Sequence, residues 1–543
     1  MDSFRLLRTA LPALILTAVL PSCSPRQSKV ESGDRSQILY WGNMIEPADL
    51  DPQIVSDTQS QNLVMALFEG LTQYDPKTSQ PIPAVAERWE VSSDNLRWTF
   101  HLRNQARWSD GEPVTARDFV FAYRRILSPA FGAEYAYLLY ALKNGESYNA
   151  GKISDPTEIG AQAPDDHTLV LNLSHPVPYL PAMICHPSWY PLAQRTIERF
   201  GRVDERGTRW TRPGNLVGNG YFVLKEWKPH RYIRVARSPT YWNRREVKLQ
   251  EVFFYPIDDA DAEERAFRSG QLHVTATLPL AKIAVYRQEH PTPLQAEPYL
   301  GTYVYRFNVT RPPLDDSRVR RALAMAIDRE RIVRDVARGG QRPAGHFTPP
   351  GMAGFTARAD LPTDIDAARR LLAAAGFPGG RGFPPLSILI NTNEGHRQIA
   401  EAIQQMWRKN LGINIGIYNQ EGKVWNDSMR RLDYSIARFA WVGDYLDPST
   451  FLDIMASDSG NNQTGWKNAE YDRLLDRARQ TADTSRRYAY YQRCEEILAR
   501  ECPFAPIYYY VRLYLRRPEV KGWYGNLLDF HPLIGVYLDA AAK

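Results

Sequence analysis

The sequence predicts an α/β protein of two or three domains, and three observations carry that reading. The chain has 543 residues with 43% hydrophobic content, more than a single hydrophobic core organises. Residues 386–391 (LSILIN) and 413–420 (INIGIYNQ) read as strands flanking a helix from about 396 to 410, a unit that sets its two strands in parallel. Elsewhere strands such as the one in which Trp98, Phe100 and Leu102 alternate are mixed with helices of 3.6-residue period.

The chain opens with Arg5 and Arg8, an apolar run over 10–20 too short to span a bilayer, and a small residue before Cys23. This is an export signal, and Leu20, Pro21, Ser22 and Cys23 resemble the lipobox of bacterial lipoproteins, whose cysteine is lipidated; Pro21 is unusual there, so ordinary signal-peptidase cleavage stays open. Removing residues 1–22 takes two arginines and one aspartate and lowers the net charge from +6 to +5. Basic and acidic residues are interspersed, with no basic arm of the kind nucleic-acid binding by counterion release requires. No later apolar run reaches membrane length, so the exported body is expected to be soluble. Cys185, Cys494 and Cys502 are expected to be buried free thiols, a Cys494–Cys502 bridge being the alternative.

Taken in order, residues 30–36 read as a polar tether and 38–41 as the first strand. A loop then runs into a helix with Leu63, Val64, Leu67 and Phe68 inward. In 86–127, Asp94 and Asn95 mark one turn and Asp110 with Gly111 another; Thr115 and Asp118 have capping spacing before a helix that turns Phe119, Ala122, Tyr123 and Ile126 inward. Residues 165–173 form a strand, 175–192 a proline-rich loop with short helices, and 218–243 two strands with an exit loop. A new unit begins near 299 with a strand, then helices with glycine stops, the strand–helix–strand unit, two amphipathic helices at 468–482 and 485–500, and a closing strand over 505–517. The tail from 520 is expected to pack back on the first lobe.

The stretch 434–455, YSIARFAWVGDYLDPSTFLDIM, places charge where the pattern predicts burial. Residues 434–442 form a strand apolar on both faces apart from Arg438, whose guanidinium needs an anion from the protein or from outside. Asp447 before Pro448 has the pattern of a helix cap. Asp444 is either a turn aspartate bonded to its own backbone or a carboxylate presented to a cation in a cleft. No GxSxG, HExxH, Walker or GxGxxG motif occurs, the ten histidines are scattered with no pair at metal-ligand spacing, and no cofactor or metal is expected. The acidic pairs at 165–166, 258–259 and 315–316 lie in turns or helix starts, although two distant glycosidase acids would escape such a search.

The passage WVGDYLDPSTFLDIMASDSGNNQTGWKNAEYDRLL resembles the periplasmic oligopeptide-binding proteins, the extracytoplasmic solute-binding receptors (family 5) of ABC peptide importers. Residues 86–127, with Trp108, Ser109, Asp110, Gly111, Pro113, Thr115, Asp118 and Phe119 in order, are the most specific match, and the likeness covers nearly everything after residue 36. It implies a two-lobed periplasmic-binding-protein-like fold of type II with an extra inserted domain: signal 1–22, lipidated tether 23–36, lobe I from 37–68 and 195–298, inserted domain 69–194, lobe II 299–515, and tail 516–543. It further implies a peptide amine held by Asp444, backbone pairing along Arg438, Ala440, Trp441 and Val442, main-chain contacts at Ser56, Asp57 and Thr58, and a carboxylate approached by Arg438 and His396. Implied partners are oligopeptides and the permease and ATPase complex of the inner membrane, with a monomeric, periplasmic or envelope-bound lipoprotein lacking nucleic-acid partners. Rival cargoes on the same fold are dipeptides, nickel chelates, haem and cell-wall peptides; an exported hydrolase is the rival from another class. Two departures stand out: Val442 and Leu300 occupy positions bridged by cysteines in some members, and Gly422 replaces a tryptophan, which would reshape a ligand pocket.

Overall fold

The computed structural model describes residues 28–542, so Cys23 lies outside the described residues. Three sheets organise the chain. The first sets Ile38–Gly42 parallel to Glu251–Tyr255, followed by the antiparallel Tyr232–Arg237 and Phe222–Lys228. The second is antiparallel throughout, in the order Ala86–Val91, Arg97–Leu102, Thr168–Asn172, Ala161–Asp165. Helix Ala116–Leu127 begins with Asp118 accepting from the N–H and hydroxyl of Thr115, and its four expected inward residues are fully buried. The first two sheets share one continuous apolar core, from Leu39 and Val252 to Phe100 and Phe119.

The third sheet is mixed and six-stranded: Arg342–Pro343, Phe504–Leu515, Leu294–Phe307, Ile436–Val442, Leu386–Asn391, Ile415–Gln420. Its last two strands are parallel, joined by helix Glu394–Leu411, as a strand–helix–strand unit requires. Tyr303, Leu323, Ile388, Trp407 and Ile436 lie in a separate core, which makes this region a second lobe.

The long antiparallel strands Leu294–Phe307 and Phe504–Leu515 connect the lobes. Their pairing runs from Leu294 opposite Leu515 to Arg306 opposite Phe504, with an irregularity between Pro298, which has no N–H for the ladder, and Thr302. Position 299, where the new unit was expected to start, falls inside this irregularity. At the far end Thr275 N–H donates to Leu515 and Gly42 N–H to Val274, stitching the strands to the first sheet. The tail returns there too, with Trp523 edge-on to Trp41 at 4.8 Å and Leu538 bonded in both directions to the Gln37 side chain.

One expectation changes. Residues read as polar tether include a helix, Lys29–Ser36, capped reciprocally by Ser28 and Glu31 and docked through the buried Asp34–His273 pair at 3.2 Å. The S-x-x-E spacing is a helix start that polar composition masked. Cys185, Cys494 and Cys502 are buried and free. Among the described residues no helix is long and apolar enough to cross a membrane.

Candidate ligand-binding site

Strand Ile436–Val442 is paired along its whole length on one side, from Gly301 opposite Val442 to Phe307 opposite Ile436. On the other side it pairs only at Ile436 and Ala437, with Ile388 and Leu389. From Arg438 to Val442 that second edge has no sheet partner among the described residues. Arg438, Phe439, Ala440 and Trp441 are half-buried and Val442 is exposed, so the free edge lines a cleft rather than a core. An unpaired, partly sheltered row of backbone donors and acceptors is a template for an extended chain.

Gly443 ends the strand. A Cβ there would lie 2.7–2.9 Å from Leu300, Phe451 and Thr450, so only glycine permits the close approach that turns the chain into the cleft. Thr450 fixes both neighbours: its carbonyl accepts from Trp441 Nε1 at 2.6 Å and its hydroxyl oxygen from Asp444 N–H at 3.0 Å.

Asp444 is half-buried, and its Oδ2 accepts from the Tyr137 hydroxyl at 2.8 Å. No Lys, Arg or His among the described residues reaches ion-pair distance of it. Burial pushes its pKa up to about 6, against the hydrogen bond from Tyr137. Asp447, three residues on, is buried, accepts from Ser449 N–H and Oγ, and pairs with Arg487 at 2.7 Å. Its expected capping role holds, shifted by one because the helix assigned after it is Ser449–Leu452.

Arg438, at the other end of the free edge, also lacks a carboxylate among the described residues. Its guanidinium lies 4.7 Å from the Tyr303 ring centroid, donates to Tyr510 OH at 3.1 Å and to Asn391 Oδ1 at 3.3 Å, and leaves Nε buried without an acceptor. Burial opposes its charge, but Tyr303, Tyr510 and Tyr508 hold its pKa above the ordinary value. His396 stands beside it, with Nδ1 3.3 Å from Tyr303 OH; burial, then Arg438, push its pKa down to about 3, so the ring is neutral.

The Ser56–Thr58 segment approaches from the first lobe. Asp57 is occupied as the cap of helix Thr58–Leu67, accepting from Ser60 N–H and Oγ at 2.7 Å each, so its carboxylate is not free for a ligand. Ser56 is exposed, and the Thr58 side chain hydrogen-bonds Tyr299, whose ring adjoins that of Tyr510. Tyr137, Tyr303, Tyr510 and Asn391 carry no signal in the sequence, because nothing in an aromatic-rich run such as YYY shows which ring faces the cleft. The structure also gathers Glu297, Asp529 and His531 within 4.8 Å of one another at the interlobe strands. Arg512 sits 2.7 Å from Asp529 and Tyr514 donates to Glu297 at 2.7 Å, so protein groups already compensate these carboxylates.

The two departures read clearly. Leu300 is buried and accepts through its carbonyl from Gly443 N–H, while Val442 is exposed and lies opposite Gly301. Gly422 opens helix Gly422–Arg430 with nothing within 4 Å of the place a Cβ would take, which leaves open space there.

Residues 80–463 match the model of the bacterial extracellular solute-binding proteins, family 5. The chain belongs to this family. It is 36% identical to the periplasmic oligopeptide-binding protein OppA of Salmonella typhimurium, over 98% of this chain and 97% of that one. Among solved structures it is similar to Haemophilus influenzae OppA in complex with the peptide RPPGFSPFR, at 34% identity and TM-score 0.78, covering 94% of this chain and 99% of that one. It is equally similar to the unliganded open form of the periplasmic murein tripeptide-binding protein MppA, at 35% identity and TM-score 0.79, covering 93% and 97%. These family 5 neighbours are two-lobed binding proteins, as the sheets and cores of this chain are.

Proposed function

We propose that this protein is an extracytoplasmic receptor that captures oligopeptides between its lobes and delivers them to an ABC importer. The observation that carries the reading is an uncompensated carboxylate, Asp444, and an uncompensated guanidinium, Arg438, at the two ends of one free strand edge. A peptide offers the matching ammonium, carboxylate and backbone. The six residue steps from Arg438 to Asp444 span at most about 20 Å, the reach of roughly five or six extended residues. Ala440, Trp441 and Val442 supply the edge, Ser56 to Thr58 the opposing wall, and His396 a neutral partner for a carboxylate beside Arg438. The protein binds without covalent chemistry. The lobes close about the two long connecting strands.

The division into lobe I (37–68, 195–298), inserted domain (69–194), lobe II (299–515) and tail (516–543) belongs to the same proposal, supported by where the sheets separate. So do a lipid anchor at Cys23 and a monomeric state in the periplasm or cell envelope, docking on an inner-membrane permease. The murein tripeptide-binding relative makes cell-wall peptides the second cargo to test. Native mass spectrometry of protein purified without its signal, before and after partial unfolding, decides the matter. A ladder of di- to pentapeptide masses, lost in Asp444→Ala, is expected; a protein that stays ligand-free in mixed peptides would overturn the assignment.

A further inference from the structure

A cavity of about 500 Å³ continues past Asp444, between the 137–183 region and the 441–480 region. Its charged lining is unequal. Four carboxylates, Glu146, Asp444, Asp453 and Asp476, face one arginine, Arg479. That arginine is already engaged, 3.2 Å from Asp453 and 3.1 Å from Asp476. His175, the other basic residue of the lining, meets Ser174 Oγ at 2.9 Å, and burial lowers its pKa, which keeps it neutral. Once a ligand ammonium has paired with Asp444, the walls still carry more negative than positive charge, with Glu146 and Asp476 on the solvent side of a concave space that focuses their field. Tyr137, Tyr140, Tyr179 and Trp441 add ring surface suited to a cation.

Trp441 and Asp444, the last edge residue and the amine anchor, both border this space, so a ligand chain running along 438–442 towards Asp444 presents its first side chain there. On the peptide-receptor reading above, we infer that this cavity is a first-residue pocket that selects a cationic side chain, lysine or arginine, over a neutral one of equal size. Charge supplies the discrimination and shape very little, because the space exceeds any single side chain.

Titration calorimetry with three tripeptides, Lys-Ala-Ala, norleucine-Ala-Ala and Ala-Ala-Ala, tests this directly. Lysine at position one should bind about tenfold tighter than norleucine, and the preference should shrink as salt rises. Ala-Lys-Ala against Ala-norleucine-Ala should differ by less than about threefold, since the second side chain leaves the edge on the opposite face. In a Glu146→Gln, Asp476→Asn double variant, whose altered side chains are exposed, the position-one ratio should collapse to about twofold or less. Equal affinity for lysine and norleucine at position one, or a ratio unmoved in the double variant, overturns the inference while leaving the receptor intact. Failure of all three tripeptides to bind overturns the receptor reading itself and this pocket with it.

Discussion

The two ends of the cleft handle the same electrostatic problem in different ways. Asp444 and Arg438 are both sheltered charges with no protein counter-ion among the described residues. Asp444 has a single neutral donor, Tyr137, and a pKa raised to about 6, so it can shed its charge when no ligand is present. Arg438 cannot. It is held beside the Tyr303 ring and hydrogen-bonded to Tyr510 and Asn391. The Asp444 end is therefore switchable near neutral pH and the Arg438 end is fixed. Asp447 shows what a compensated carboxylate looks like three residues away: a cap, a buried arginine, and nothing left for a ligand.

The sharpest way to break the contrast is at the compensated site. Arg487→Met leaves the Asp447 carboxylate buried and unpaired and should cost about 3–5 kcal/mol of folding stability, read by chemical denaturation. Asp444→Ala should instead weaken tripeptide binding by about 2–5 kcal/mol in calorimetry, since the ligand ammonium is left desolvated. The same position should show the opposite effect on stability. Its carboxyl takes up a proton near pH 6 when folded and near its ordinary value, about 4, when unfolded, so the ligand-free protein gains stability as pH falls from about 6 to 4. Asp444→Asn should accordingly raise ligand-free stability at pH 7 by about 1–3 kcal/mol, and a lowered melting temperature would contradict the picture.

Arg438→Met should cost about 1.5–3 kcal/mol for peptides long enough to reach it, and an amidated peptide should lose the same amount on the unaltered protein. With pH, affinity should fall about tenfold per unit below pH 6 as Asp444 takes up a proton, and again above pH 8 as the ligand amine loses one. The smallest effect is expected at His396. Its ring, neutral in the free protein with a pKa near 3, should titrate higher when a peptide carboxylate arrives beside it. NMR should show that shift with a free-acid peptide and not with its amide, and His396→Gln should change affinity by less than about 1 kcal/mol.

Local signals made much of the fold legible. The Thr115–Asp118 spacing and the apolar positions of the helix after it reappear in the structure as expected, because capping and helical periodicity depend on neighbours three or four residues apart. The same kind of signal, Ser28 with Glu31, was present in the supposed tether. Its polar composition concealed a helix that Asp34 and His273 hold from 239 residues apart.

By itself the sequence determined a strand ending at Val442, begun two residues early at 434, the misplaced arginine inside it, the helix-start pattern at Asp447, and two alternatives for Asp444. Tertiary structure supplied the partners: the Asp444 side chain meets the Tyr137 hydroxyl from 307 residues away. Whether a carboxylate is compensated depends on what the rest of the chain brings within about 4 Å, and Arg487 reaches the Asp447 carboxylate whereas, among the described residues, the neutral Tyr137 hydroxyl meets that of Asp444. The free edge at 438–442 is likewise a property of pairing, since Leu386–Asn391 stops supporting the strand after Ala437, and no local pattern encodes where a neighbour runs out.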